Sequence, residues 1–135
     1  MMKEIELVTA ERNEFKDITH KVLEAVDKAK IMSGLCYVFV PHTTAGITIN
    51  ENSDPAVRVD ILNKLSGLVP RDDGYEHAEG NSDAHVKALL MGFSIVLPIE
   101  AGELVLGTWQ GIYFCEFDGP KERKIIIKLV QTEFS

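Results

Sequence analysis

Three histidines, His42, His77 and His85, lie among polar residues rather than on an apolar stripe. Three neutral imidazoles around an open position make a catalytic metal site, so this set is the first candidate for chemistry. Two of them bracket the run HAEGNSDAH at 77–85, whose Gly-Asn-Ser-Asp core reads as a helix start. Asn81 or Ser82 suits the N-cap and Asp83 falls in the first turn. Val86, Leu89 and Leu90 supply an apolar face before Gly92 stops the helix. Unpaired N–H groups and the positive end of the helix dipole face out of that turn, so the same residues offer imidazole nitrogens and an anion cradle. The combination suits a divalent metal (Zn or Mg), a phosphate, or both. Glu51, Asp54, Asp83 and Glu116 are carboxylates that could complete a metal shell, orient a histidine through its second nitrogen, or act as a base. His20, on the polar side of an amphipathic stretch, reads as a solvated surface residue.

Other polar groups crowd two further segments. HTTAGITINENSDP at 42–55 places Thr43, Thr44 and Asn52 around a short alternating strand, with Asp54 and Pro55 as the N-cap and first residue of the next helix. GTWQG at 107–111 puts Trp109 and Gln110 between two glycines. Trp109 serves equally as an anchor in a core or subunit interface and as a wall for a flat ring. Lys121, Arg123 and Lys124 follow the turn Asp118-Gly119-Pro120, either as a solvated basic turn or as an attractor of anions. Glu116 and Asp118 read most simply as a solvated hairpin end.

The elements that must position these groups follow from periodicity. Residues 5–9 alternate as a half-buried strand. From Asn13, the apolar positions Phe15, Ile18, Val22, Ala25, Val26 and Ala29 recur at helical spacing up to Gly34. LCYVFVP at 35–41 is a buried strand ended by its proline. Val57, Ile61 and Leu65 stripe a helix, and the aperiodic stretch 66–81 is long enough for a functional loop. After the 82–91 helix, 93–98 and 103–107 form one hairpin, and 109–117 and 124–132 form a second around Asp118-Gly119-Pro120. The expected class is α+β, a mixed and mainly antiparallel sheet sandwich with three helices in the order βαββααββββ.

At 135 residues the chain suffices for one domain, 1–135, with a sizeable core. A net charge of −7 argues against nucleic acid or anionic membrane as a partner. No apolar run approaches the roughly 18 residues of a membrane span and no signal-peptide core opens the chain, so a cytoplasmic location is expected. Cys36 and Cys115 sit in apolar strands without a CxxC pair and read as buried free thiols. Walker, GxGxxG, GxSxG and HExxH motifs are all missing, which disfavours nucleotide-binding, serine hydrolase and zincin chemistry.

HTTAGITINENSDP at 42–55, HAEGNSDAHVKALLMG at 77–92 and LGTWQGIYFCEFDGP at 106–120 resemble, in order, three signature blocks of the YjbQ-like secondary thiamine-phosphate synthase family. The resemblance implies a small α+β protein that assembles as a homotrimer, with the block histidines clustered in a polar pocket able to hold a metal or an anion. It also implies a transferase that joins a hydroxymethylpyrimidine pyrophosphate to a thiazole phosphate, releasing pyrophosphate and forming thiamine phosphate. On that reading His42, His77 and His85 bind the metal or the leaving group, the 81–83 turn cradles phosphate, and Trp109 with Gln110 positions a ring. Lys121 stands where many members have arginine in a DGPR turn, and lysine offers a point charge in place of a bidentate fork. Two other classes fit the same residues. One is a metal-dependent hydrolase of a phosphorylated or heterocyclic metabolite, with Glu51 as base; the other is a non-catalytic module that binds a metal or small anion.

Overall fold

A computed structural model describes residues 2–132 as an α+β fold. In chain order the elements are β1 (Met2–Val8), β2 (Glu14–Asp17), α1 (Thr19–Ala29), β3 (Ser33–Phe39), β4 (Ala45–Glu51), α2 (Pro55–Leu68), α3 (Ser82–Met91), β5 (Ser94–Glu100), β6 (Glu103–Leu104), β7 (Gln110–Glu116) and β8 (Glu122–Gln131). Two antiparallel sheets result, one ordered β1-β8-β3-β5-β6 and the other β2-β7-β4.

The smaller sheet is the middle layer. Successive residues of β7 alternate between two cores: Ile112 and Phe114 join the cluster beneath the larger sheet and α1, while Tyr113 and Cys115 join Phe15, Leu65, Ala84 and Ala88 beneath α2 and α3. Both faces of β7 are therefore covered. Both thiols are buried and free, as expected, and burial pushes Cys36 up to about 11 and Cys115 higher still.

Three local expectations are corrected. A strand, β2, occupies the start of the stretch whose spacing predicts a helix from Asn13, giving the order ββαββααββββ. Phe15 and Ile18 fit the helical period by coincidence: Phe15 packs against Tyr113 and Phe117 in sheet register, and α1 starts only where the Asp17 carboxylate accepts the Thr19 N–H at 2.9 Å. The last two strands form no hairpin. β7 pairs with β2 and β4, β8 pairs with β1 and β3, and the Asp118-Gly119-Pro120 turn carries the chain from one sheet to the other. A side chain at Gly119 would meet the Glu11 carbonyl oxygen at 2.2 Å, so this crossing requires glycine.

The third correction concerns α3. Its buried side chains are Asp83, Ala84, Lys87 and Ala88, whereas Leu89 and Leu90 are exposed. Small residues let the helix end lie directly on β4, where a Cβ at Gly46 would approach the Gly92 carbonyl oxygen to 2.7 Å. Close approach of the two backbones outweighs the apolar stripe. Asp54 caps α2 as expected, accepting the Ala56 N–H at 2.9 Å with Pro55 at the first helical position.

Candidate functional site

His42 is placed by the end of a strand pairing. β3 pairs with β8 only as far as Phe39 and Ile126, which leaves the next β8 peptide without a strand partner on that side. The His42 ring docks there, with Nε2 3.1 Å from the Lys124 amide nitrogen and 3.2 Å from its carbonyl oxygen. Burial, reinforced by the Arg123 charge, pushes this imidazole below the usual histidine range, so it is neutral at pH 7. His77 comes from the loop between α2 and α3, and His85 from the first turn of α3. Their rings meet edge to face with centroids 5.5 Å apart.

All three histidines open onto one cleft of about 490 Å³, whose walls also include Thr43, Thr44, Glu79, Asn81, Asp118, Lys121 and Arg123. Two buried polar networks hold these walls. In the first, Glu116 continues the face of Ile112 and Phe114, so its carboxylate enters the space between the sheets. There it accepts from Arg123 Nε at 2.8 Å, from Arg123 Nη2, from the Thr9 hydroxyl at 2.7 Å and from the N–H groups of Phe117 and Asp118. Burial alone would raise the Glu116 pKa. The hydrogen bonds from Arg123, Thr9 and the Asp118 N–H outweigh it and hold the carboxyl below the ordinary range. Arg123 Nη2 also donates to the Thr44 hydroxyl at 2.8 Å.

In the second network Asp83 is fully buried and paired with Arg12 at 3.0 Å and Lys87 at 3.3 Å. Asp118 accepts from Asn81 Nδ2 at 3.0 Å and Lys121 Nζ at 2.7 Å. Burial opposes its ionisation, but these contacts prevail and keep its pKa lowered.

The cleft thus gathers His42, His77, His85, Thr43, Thr44 and Asn81 from the sequence-derived set. Ser82 opens α3 beside it without lining it. Asp83 lies beneath the wall as a counter-ion to Arg12 and Lys87 rather than as a base facing the cleft. The remaining candidates sit at the other end of the β4–β7 ladder. Glu51 pairs in register with Gln110, the Asn52 N–H donates to the Trp109 carbonyl at 3.0 Å, and Asp54 caps α2. That end is separated from the cleft by the seven-residue strand β4, about 20 Å at the usual rise. Glu79 was not among the sequence candidates, Asp118 read as a solvated hairpin end, and Lys121 and Arg123 read as a solvated basic turn or an attractor of anions. The readable signal was Glu116 itself, a carboxylate in the inward register of an otherwise apolar strand, which requires a buried cation.

Among the described residues no three His, Cys, Asp or Glu groups stand close enough to hold a metal ion. His77 and His85 form a pair, while the His42 ring is tied to the Lys124 peptide. As arranged, this donor set does not fit a resident metal. It offers an oxyanion hydroxyls, imidazoles and the Lys121 ammonium.

Comparison with known proteins agrees with this architecture. Residues 3–132 match the family described as UPF0047 protein YjbQ-like. The chain belongs to the YjbQ-like UPF0047 family. A UPF0047 protein of Methanocaldococcus jannaschii is 48% identical over 130 residues, covering 96% of this chain and 94% of that protein. The UPF0047 protein YugU of Bacillus subtilis is 46% identical over 131 residues, covering 96% and 99%. Among solved structures, a YjbQ/UPF0047 protein of Clostridium acetobutylicum superposes with a TM-score of 0.93 at 54% identity, covering 95% of this chain and 99% of that one. A YbjQ-like protein of unknown function from Sulfolobus solfataricus gives 0.94 at 36% identity, covering 98% and 97%. The YjbQ-like family relation therefore extends over nearly the whole chain. No helix among the described residues is long and apolar enough to cross a membrane.

Proposed function

We propose that the cleft binds the phosphate groups of a phosphorylated small molecule, and that the protein is a transferase of the thiamine-phosphate synthase type. It would join a hydroxymethylpyrimidine pyrophosphate to a thiazole phosphate and release pyrophosphate. The observation that carries this reading is the convergence of His42, His77 and His85, from three separate segments, with Lys121 on one polar cleft. In such a transfer the bond between the pyrimidinylmethyl carbon and the pyrophosphate oxygen breaks as the thiazole nitrogen forms a bond to that carbon. The residue that assists it must neutralise charge growing on the leaving oxygens. Lys121 supplies a cation, Thr43 and Thr44 supply hydroxyls, and His77 and His85 supply ring N–H donors.

We propose in addition that the protein is a homotrimer. Its support is the outer face of the larger sheet, where Leu35, Val96 and Val130 are exposed, Tyr37 pairs with Val96, and Ile126 pairs with Phe39 further along the same face. Light scattering coupled to size exclusion tests this, and a monomer mass at micromolar concentration overturns it.

The activity test is a product assay with both substrates, run with and without added Mg²⁺ or Zn²⁺. Thiamine phosphate formed in proportion to enzyme, and lost in His85→Ala, is the expected result. Phosphate released from a single substrate would instead make the protein a hydrolase. Ligand-induced thermal stabilisation without turnover would make it a binding module.

A further inference from the structure

The Arg123 guanidinium is 7% exposed as a residue and has five N–H donors, of which three are committed inside the fold. Nε and one Nη2 proton go to Glu116, and the other Nη2 proton goes to Thr44. Nη1 has no hydrogen-bond partner among the described residues, and it is not one of the fully buried polar atoms left without a partner. Arg123 lines the histidine cleft and also a second cavity of about 250 Å³ that shares His42 with it. A charged side chain is thus clamped on one edge by a saturated carboxylate while its other edge opens outward.

We infer that Arg123 is the oxyanion anchor of the cleft, with Glu116 and Thr44 as positioning residues that hold its Nη1 edge toward a bound phosphate or sulfate group. This rests on reading the cleft as a phosphate site and names the group that does the binding. Three properties favour it over its neighbours. The Arg123 Nη1 donors lie in a plane that the Glu116 and Thr44 contacts fix, where the Lys121 ammonium is a point charge already paired with Asp118. Its rotamer entropy is already lost to the Glu116 clamp, whereas the Lys121 side chain is half exposed. Because Glu116 offsets its charge at long range, the contact acts through short-range hydrogen bonds, which suits a chain of net charge −7.

The test is a calorimetric titration with sulfate, which stays doubly ionised throughout, on wild type, Lys121→Met and Arg123→Lys at about pH 6 and about pH 8.5. The ordinary imidazole pKa lies inside that interval and the guanidinium pKa lies far above it. We expect Lys121→Met to retain binding that changes less than about threefold between the two pH values, and Arg123→Lys to lose about tenfold or more at both. A folded Arg123→Lys variant that binds like wild type overturns the inference. So does a Lys121→Met variant whose affinity falls more than about tenfold as pH rises, which would assign the anchor to the histidines. If Arg123→Lys fails to fold, the pH comparison in Lys121→Met decides. A wild-type protein that binds neither sulfate nor pyrophosphate defeats the phosphate-site reading itself, whereas wild-type binding untouched by Arg123→Lys defeats the anchor alone.

Discussion

The two ends of the β4–β7 ladder carry equally suggestive residues and are built in different ways. At the Ala45–Glu116 end, side chains from β1's exit, the loop after β3, α3 and β8 converge, and nearly every polar atom has a partner distant in sequence. At the Glu51–Gln110 end, contacts are mostly local. Gln110 Oε1 accepts the Gly107 N–H at 2.7 Å, Asn50 Oδ1 accepts the Glu51 N–H, and Trp109 is 63% exposed. A polar cluster becomes a preorganised site when separate elements over-determine its geometry. Residue type supplies only the opportunity.

The sharpest way to break this contrast is Glu116→Ala. It strands Arg123 between the sheets and should cost about 3–5 kcal/mol of unfolding free energy, measured by urea denaturation. A loss below about 1 kcal/mol would mean that the pair does not hold the cleft end together. Asp83→Ala leaves Lys87, 2% exposed, without its carboxylate and Arg12 with Asp118 at 3.5 Å. A loss of about 3 kcal/mol is expected, and an unchanged urea midpoint would show that α3 is held by its close approach to β4 alone.

Acid titration sharpens the same comparison. Glu116 has a lowered pKa in the fold, so the unfolded chain takes up its proton first. The stability it contributes is complete above the ordinary value of 4.5 and is lost as pH falls through the folded value. The stability gap between wild type and Glu116→Gln should therefore be widest near neutrality and narrow on acidification below that value. A gap that widens in acid would reverse the assignment.

His85→Ala should separate function from fold. The expected stability change is within about 0.5–1 kcal/mol, because the half-buried ring stacks edge to face on His77 at the cleft and belongs to neither hydrophobic cluster, while phosphate or sulfate affinity falls. Unfolding of this variant would count against His85 as a ligand contact. The smallest effect belongs to Trp109→Ala, whose side chain stands in solvent in the single chain and should shift monomer stability by no more than about 0.5 kcal/mol. If a homotrimer buries Trp109, the same change instead weakens assembly and lowers the apparent melting temperature at a given protein concentration.

Several features were legible in the residues alone because they are set by local chemistry. Alternation marks β1 and β4, and β-branched and aromatic composition marks β3. Asp54-Pro55 starts α2, and the histidine blocks and the GTWQG run are recognisable as motifs. Periods of two and 3.6 act over a handful of neighbours, so a linear reading captures them. Other features could be settled only by tertiary structure. Phe15 follows the sheet rather than the helix because Tyr113 on β7 and Phe117 just after it await its ring, and the last two strands part because they pair in different sheets. Glu116 looked like a solvated turn residue until the crossing at Gly119 brought Arg123 onto it. The separation of Trp109 and Glu51 from the histidines is a matter of which end of a strand each occupies. Motif order in the chain does not encode that distance; the pairing register does.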